Sequence, residues 1–336
     1  MKEPSVSQYR GCMFGLAIGD ALGAPIEFMS LQQIKAAHGK QGLTAPAGPL
    51  RYTDDTQMSL ATAVGCLRAW MRYRGKGICH PPSIIYLSYQ AWLKTQDDPD
   101  QRRAPGNTCL SALRSGKQGT IKEPINNSKG CGGVMRTAPI GLAFLASDPQ
   151  GAFQIGAESA ALTHGHPSGY LTAGFLSEMI AHICGGSSLD EAIDRSIERL
   201  VRYEGHDETL AKVEQARRLA ASDKDVEQSI EKLGAGWVGE EALAIAIFCA
   251  LKFPDDWRAG TLAAVNHSGD SDSTGSICGA MLGTSLGLQA IPPEWVRTVE
   301  NAADIMKIAD DLYLALQKSE DPAWDDYSRF LIEGGR

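Results

Sequence analysis

Long apolar runs are missing from this 336-residue chain. No segment reaches the roughly 18–20 consecutive apolar residues of a membrane-spanning helix, so no membrane partner is expected. The N-terminal MKEPSVSQYR has no apolar signal region, which makes the cytoplasm the expected compartment. Paired cysteines are missing too. Cys12, Cys66, Cys79, Cys109, Cys131, Cys184, Cys249 and Cys278 are scattered, and none forms a C-x-x-C pair. They read as free, buried thiols in a reducing compartment. Basic stripes are absent as well: 32 Lys and Arg stand against 40 Asp and Glu, a formal charge of −8. Nucleic acid, which is held by clustered Lys and Arg, is therefore not an expected partner. An anionic ligand would need some other source of attraction, and a bound cation would serve. Strand-like alternation is nearly absent, and there is no internal repeat or low-complexity linker.

What remains is an ordinary globular composition, 43% hydrophobic and 21% charged, with a helical period running through it. RGCMFGLAIGDALGAP carries Gly11, Gly15, Gly19 and Gly23. Four-residue spacing makes one stripe that drifts by about 40° per step on a helix. Because glycine disfavours helix, such a stripe implies close packing against another backbone. Residues 54–74 read as a long helix. So do 131–146, 151–163, 168–184, 188–203, 207–221, 238–252, 256–266, 273–288 and 299–317. Gly and Pro clusters near 39–49, 75–82, 98–106 and 116–130 read as loops. The expected architecture is all-α: one orthogonal multi-helix bundle domain over residues 7–320, followed by a helical tail at 321–336.

Two acidic knots stand out. NHSGDSDSTGS sets Asp270 and Asp272 between hydroxyls just ahead of the small, apolar ICGAMLGTSLGL. RYTDDTQMSL sets Thr53, Asp54, Asp55 and Thr56 at a helix start. Either knot could be no more than an N-cap. Asp20 and Glu27 supply further carboxylates, Glu27 in the apolar company of Pro25, Ile26, Phe28 and Met29. Together these read as hard oxygen donors that lack a nearby His or Cys ligand. That favours Mg2+, Mn2+ or Ca2+ over zinc. Several carboxylates could meet in a dry cleft only if cations neutralise them.

Seven blocks occur in order: GCMFGLAIGDALGAPIEF, YTDDTQMSLATA, GNTCLSAL, SKGCGGVMRTAPIGL, ALTHGHPSGYLTAG, GWVGEEALAIAI and NHSGDSDSTGSICGAMLG. Together they resemble the ADP-ribosylglycohydrolase family, of the dinitrogenase-reductase-activating type, over residues 10–288. The resemblance implies an all-α fold with two divalent cations, Mg2+ or Mn2+, at the base of a cleft. It implies that Thr53, Asp54 and Asp55 ligate from one side and Asp270, Asp272 and Ser273 from the other. The family's last ligand is commonly threonine, so Ser273 keeps the oxygen and loses a methyl. Glu27 matches the acidic residue that acts in catalysis, and His164 matches a histidine near the ligand, with His166 beside it an equal rival on chemistry alone. The loop Gly130, Cys131, Gly132, Gly133, Val134 and Met135 matches the one that contacts ADP-ribose. There glycines would let backbone N–H groups approach phosphate oxygens. Asn107 is a further candidate for substrate binding, and local capping is its alternative role.

The expected activity is hydrolysis of the bond between C1″ of the distal ribose and an acceptor on a modified protein, arginine first. Glu27 would orient or deprotonate water, or protonate the leaving group, with Asp55 and Asp272 sharing the proton handling. The alternative is a non-catalytic ADP-ribose binder, or an immunity protein that blocks an ADP-ribosyltransferase. A different two-metal hydrolase needs similar ligands, and only the order of the blocks argues against it.

Overall fold

The glycine stripe meets a second one. In the computed structural model, which describes residues 3–144, 149–322 and 327, the first helix runs antiparallel to a late helix that carries Gly275, Gly279 and Gly283. A Cβ added at Gly11 would lie 2.1 Å from Gly283 O, one at Gly15 2.1 Å from Gly279 O, and one at Gly19 2.1 Å from Gly275 O. Cβ atoms on the opposite stripe would strike Gly19 O, Gly15 O and Gly11 O in turn. Two backbones therefore touch along about three turns, with no room for a methyl on either side.

Sixteen α-helices are present among the described residues: α1 (Val6–Gly23), α2 (Leu31–His38), α3 (Asp54–Lys76), α4 (Pro81–Thr95), α5 (Asn107–Arg114), α6 (Ala138–Ala143), α7 (Pro149–Ala161), α8 (Pro167–Cys184), α9 (Leu189–Leu200), α10 (Asp207–Ala220), α11 (Val226–Leu233), α12 (Gly239–Lys252), α13 (Trp257–Val265), α14 (Ser271–Leu286), α15 (Pro293–Thr298) and α16 (Ala302–Tyr313). The all-α expectation is met. The only β feature among the described residues is one isolated antiparallel bridge, Gly130 to Val238. No described helix is long and apolar enough to cross a membrane. The α1–α14 pair lies at the centre, with α3, α8, α12, α13 and α16 packed around it. All eight cysteines are free; six are buried, while Cys79 and Cys131 are half-buried.

Several boundaries differ from the sequence expectation. The helix expected at 131–146 breaks in two: a 3-10 turn at Cys131–Gly133, then α6, with Pro139 near its start. Residues 145 and 146 lie outside the described residues, as does most of the tail expected at 321–336. Helices α2, α4, α5, α11 and α15 were not anticipated. α2 and α11 are eight residues long, too short for a period to stand out, and α4 opens on Pro81-Pro82, which reads as a loop in isolation. α14 begins at Ser271, two residues earlier than expected, so Asp272 stands on the helix itself.

Candidate active site

Antiparallel packing sets the C-terminal end of α1 beside the N-terminal end of α14. Gly23 touches the backbone of Ser271 and Asp272. Asp20, one turn earlier, then fastens α3 to the same place. Its carboxylate accepts from Thr53 N at 2.9 Å, from Thr56 N at 2.9 Å and from Thr56 Oγ1 at 2.6 Å. Two helix N-termini, each with its partial positive charge, thus converge on the end of α1.

Thr53 caps α3, its Oγ1 accepting from Asp55 N at 3.3 Å. Asp54 and Asp55 follow, both buried. Asp54 Oδ2 accepts from Gly106 N at 3.3 Å. Asp55 Oδ2 faces Thr53 Oγ1 at 3.5 Å, while Asp55 Oδ1 is buried with no hydrogen-bond partner. On the other side Asp270 caps α14. Its Oδ1 accepts from Ser273 N at 3.3 Å, and Asp272 Oδ1 accepts from the same amide at 3.0 Å. Gly269 permits this turn, with φ at +135° and no space for a Cβ beneath Ala235 O.

Glu27 sits in the turn after α1, half-buried, its amide donating to Gly23 O at 2.9 Å. Glu27, Asp270 and Asp272 each offer a carboxylate oxygen, and the three oxygens lie within 4.8 Å of one another. Asp54 and Asp55 are close enough for their charges to act on the group. Glu27 is pushed up to about 9, first by burial, then by the charges of Asp272, Asp54 and Asp20. Asp20 is pushed up to about 7 by burial and Asp272. Asp54, Asp55 and Asp270 are held well above the usual carboxylate range, burial first and Asp272 next in each. Carboxylates gathered this closely cannot all ionise unless cations enter, and the partnerless Asp55 Oδ1 is the kind of atom a cation would satisfy. The donor set fits hard divalent ions.

One sequence expectation fails here. Cys131 Sγ donates to Asp270 Oδ2 at 2.8 Å and lies 3.7 Å from Ser273 Oγ. The knots therefore do have a cysteine beside them, brought from 139 residues away in sequence. Burial and the neighbouring carboxylates raise the Cys131 pKa and keep it a thiol.

The glycine loop is tied down from several sides. Cys131 N donates to Trp237 O at 3.2 Å, and Gly239 N to Lys129 O at 2.8 Å. Lys129 Nζ pairs with Glu208 and Glu240. None of Gly130, Gly132 and Gly133 has a positive φ, so their need for glycine is one of space. A Cβ at Gly133 would lie 2.5 Å from Gly169 O; one at Gly132 would lie 3.0 Å from Cys109 Sγ and 3.1 Å from the His164 ring. The space at Gly133 is thus taken by α8 rather than left for a ligand. Val134 and Met135 are also buried, Met135 Sδ 3.9 Å from Ser273 Oγ. Asn107 is exposed at the start of α5, next to the Gly106 amide that holds Asp54.

His164 is buried behind the loop, pushed down to about 3 by burial and by Arg136, so it is neutral. Arg136 Nη2 donates to Thr163 Oγ1 at 2.6 Å, and that hydroxyl lies 2.8 Å from His164 Nδ1. When Thr163 donates to Nδ1 rather than to Ala160 O, 3.4 Å away, the proton rests on Nε2, the atom that faces Gly130 and Gly132. His166 instead caps α8.

Sequence reasoning missed three features. Asp20 was counted only as a further carboxylate, although its place on the glycine-striped helix marks it as facing a neighbour and it fastens α3. Arg136, fully buried and stacked at 4.4 Å on the Tyr89 ring, was not singled out. Phe28, next to Glu27, is 70% exposed with φ at +68° and stacks on the exposed Trp237 at 5.1 Å. No local sequence signal pairs residues so far apart.

With this geometry in place, the family can be stated. The family model described as ADP-ribosylglycohydrolase matches residues 1–322. An uncharacterized protein of Archaeoglobus fulgidus is 30% identical over 91% of this chain and 96% of its own. The ADP-ribosyl-[dinitrogen reductase] glycohydrolase of Rhodospirillum rubrum is 27% identical over 89% and 93%. A solved structure titled ADP-ribosylglycohydrolase-related protein complex shares the fold, with a TM-score of 0.67 and 24% identity over 92% of this chain and 97% of that one. The chain belongs to the ADP-ribosylglycohydrolase family. It is an enzyme, a hydrolase that removes ADP-ribose.

Proposed function

We propose that this enzyme hydrolyses the N-glycosidic bond between C1″ of the distal ribose and an arginine guanidinium on a modified protein. The observation that carries this reading is the convergence of Asp54 and Asp55 on α3 with Asp270, Asp272 and Glu27 around the end of α1. Thr53, Asp54 and Asp55 would hold divalent cations from one side, and Asp270, Asp272 and Ser273 from the other. Mg2+ or Mn2+ bound there supplies Lewis-acid charge that offsets the carboxylates and polarises water and ribose hydroxyls.

The chain's own groups do the rest. Glu27 carries a proton at neutral pH in the cation-free cleft, and gives it up once positive charge offsets its neighbours. It therefore moves the proton between the attacking water and the leaving nitrogen. Asp55 and Asp272, as ligands that also border the attacking water, share that work. The remaining carboxylates stabilise positive charge that develops at C1″. Gly130, Cys131 and Gly132 contact the diphosphate side, with neutral His164 donating through Nε2, while Gly133, Val134 and Met135 shape the loop from behind. Asn107 borders the cleft at α5. The flat, exposed Phe28–Trp237 pair beside Glu27, over an acidic cleft, suits a planar cationic leaving group.

The test is incubation with arginine- and serine-ADP-ribosylated proteins, with Mg2+, Mn2+ or EDTA. Free ADP-ribose should appear from the arginine conjugate with either cation and stop with EDTA. Release from serine alone would remove the arginine reading, and EDTA-resistant release would remove the cations.

A further inference from the structure

Sulfur is out of place in a centre built from hard oxygen donors, yet two sulfur atoms border this one. Cys131 Sγ lies 2.8 Å from Asp270 Oδ2 and 3.7 Å from Ser273 Oγ. Met135 Sδ, four residues on, lies 3.9 Å from the same hydroxyl. The negative charge of Asp55 also acts on the thiol, and Asp55 Oδ1 is a buried oxygen with no partner. The thiol thus borders two ligands of the Asp270–Ser273 knot. Mg2+ gains nothing from such a neighbour, because it demands octahedral oxygen. Thiophilic ions behave differently: they take sulfur with carboxylate or imidazole in closed, four-coordinate sites.

We propose that Cys131 Sγ is a ligand for a thiophilic divalent cation such as Zn2+, which binds with Asp270 as an inhibitor of the cleft. This rests on the reading of the acidic cluster as a cation site. Zinc–sulfur and zinc–oxygen bonds of about 2.3 and 2.0 Å at a tetrahedral angle put the two donors about 3.5 Å apart. The thiol and Asp270 are closer than that, so a small side-chain rotation opens the seat. On binding, the thiol loses its proton to solvent and the sulfur–cation bond replaces the hydrogen bond to Asp270. Because Asp270 is shared, the soft ion and the catalytic cations compete for it, and occupancy by the soft ion displaces them.

Cadmium reports the bond directly, through the ultraviolet charge-transfer band that a thiolate–cadmium pair produces. Cation-stripped protein is titrated with Cd2+ as wild type, Cys131→Ser and Cys79→Ser. Cys79 is the other half-buried thiol and sits between the C-terminal end of α3 and the start of α4. One equivalent of band should form in wild type and Cys79→Ser, vanish in Cys131→Ser, and be displaced by Zn2+. In wild type, Zn2+ should shield Cys131 and not Cys79 from alkylation, read by peptide mapping. This arm needs no variant to fold. Zn2+ should inhibit the Mg2+-supported reaction, and Cys131→Ser should weaken that inhibition at least tenfold relative to its own uninhibited rate. If Mg2+ and Mn2+ raise the melting temperature while Cd2+ gives no band and Zn2+ no shielding, this inference fails and the cation site stands. If no divalent ion shifts melting, both fall.

Discussion

Glu27 and Asp20 are both raised carboxyls, seven residues apart, and their surroundings give them different work. Asp20 spends its oxygens on Thr53 and Thr56, so it holds α3 in place. Glu27 is half-buried beside Asp272, and in the proposed function it is the group that transfers the proton. Glu27→Gln keeps the shape and removes the ionisable group. Turnover should fall by about 10²–10⁴-fold, the usual worth of a positioned acid or base. Cation-dependent melting should change little. Near-normal turnover on ADP-ribosylated arginine would move the proton to Asp55 or Asp272. The same carboxyls give the cation-free protein a pH dependence with a definite sign. A carboxyl whose folded value is raised favours the folded state most below its unfolded value, and that advantage is lost as pH rises towards the folded value. For Glu27 the window runs from 4.5 to about 9. Cation-stripped protein should therefore melt at a higher temperature near pH 5.5 than near pH 8 (approximate bounds inside that window), and saturating Mg2+ or Mn2+ should shrink the difference. A melting temperature that rises with pH over this window in EDTA would contradict the burial of these acids.

At the scale of elements, the α1–α14 seam is what makes the knots meet. Gly15→Ala would place a methyl 2.1 Å from Gly279 O, against backbone that cannot turn aside. Overpacking of this kind costs about 1–3 kcal/mol or more. The melting temperature should drop, and turnover should drop with it because the ends of α1 and α14 carry the site. An alanine variant as stable and active as the parent would show that the seam has slack. The first stripe and its meaning were legible in sequence, since four glycines at helical spacing call for a close backbone. Its partner, Gly275-Gly279-Gly283, has the same spacing and was readable only as small and apolar, because nothing local says which helix faces which. The break in the helix expected at 131–146 was hidden for a related reason. Apolar spacing carries on through Gly132, Gly133 and Pro139, and the turn is set by contacts with α8 and Trp237.

At the scale of the molecule, a chain with a net charge of −8 gathers carboxylates into one cleft, and under the proposed function that cleft must take an anionic ligand. The proposed cations would make the two compatible, and would also tie the fold to its function. A ligand held only by the folded state stabilises it by about 2.7 kcal/mol at one hundred times its dissociation constant. The donor types of this cleft were legible in the sequence; their meeting was not. Thr53–Asp55 and Asp270–Ser273 are more than two hundred residues apart, and only the long-range packing of α1 against both α3 and α14 brings them together. The nearness of Cys131 to Asp270 and of Phe28 to Trp237 escaped for the same reason: one is set by the loop that Trp237 holds, the other by a turn whose left-handed φ no local pattern marks.

The central claim is that these two distant knots form one cation centre. Calorimetric titration of cation-stripped protein with Mn2+ tests it, comparing wild type with Asp54→Ala and Asp272→Ala, each checked for folding by circular dichroism. Wild type should bind two equivalents, and each variant should lose stoichiometry or affinity although its substitution lies on only one of the two helices. Two equivalents bound at unchanged affinity in either folded variant would contradict the account.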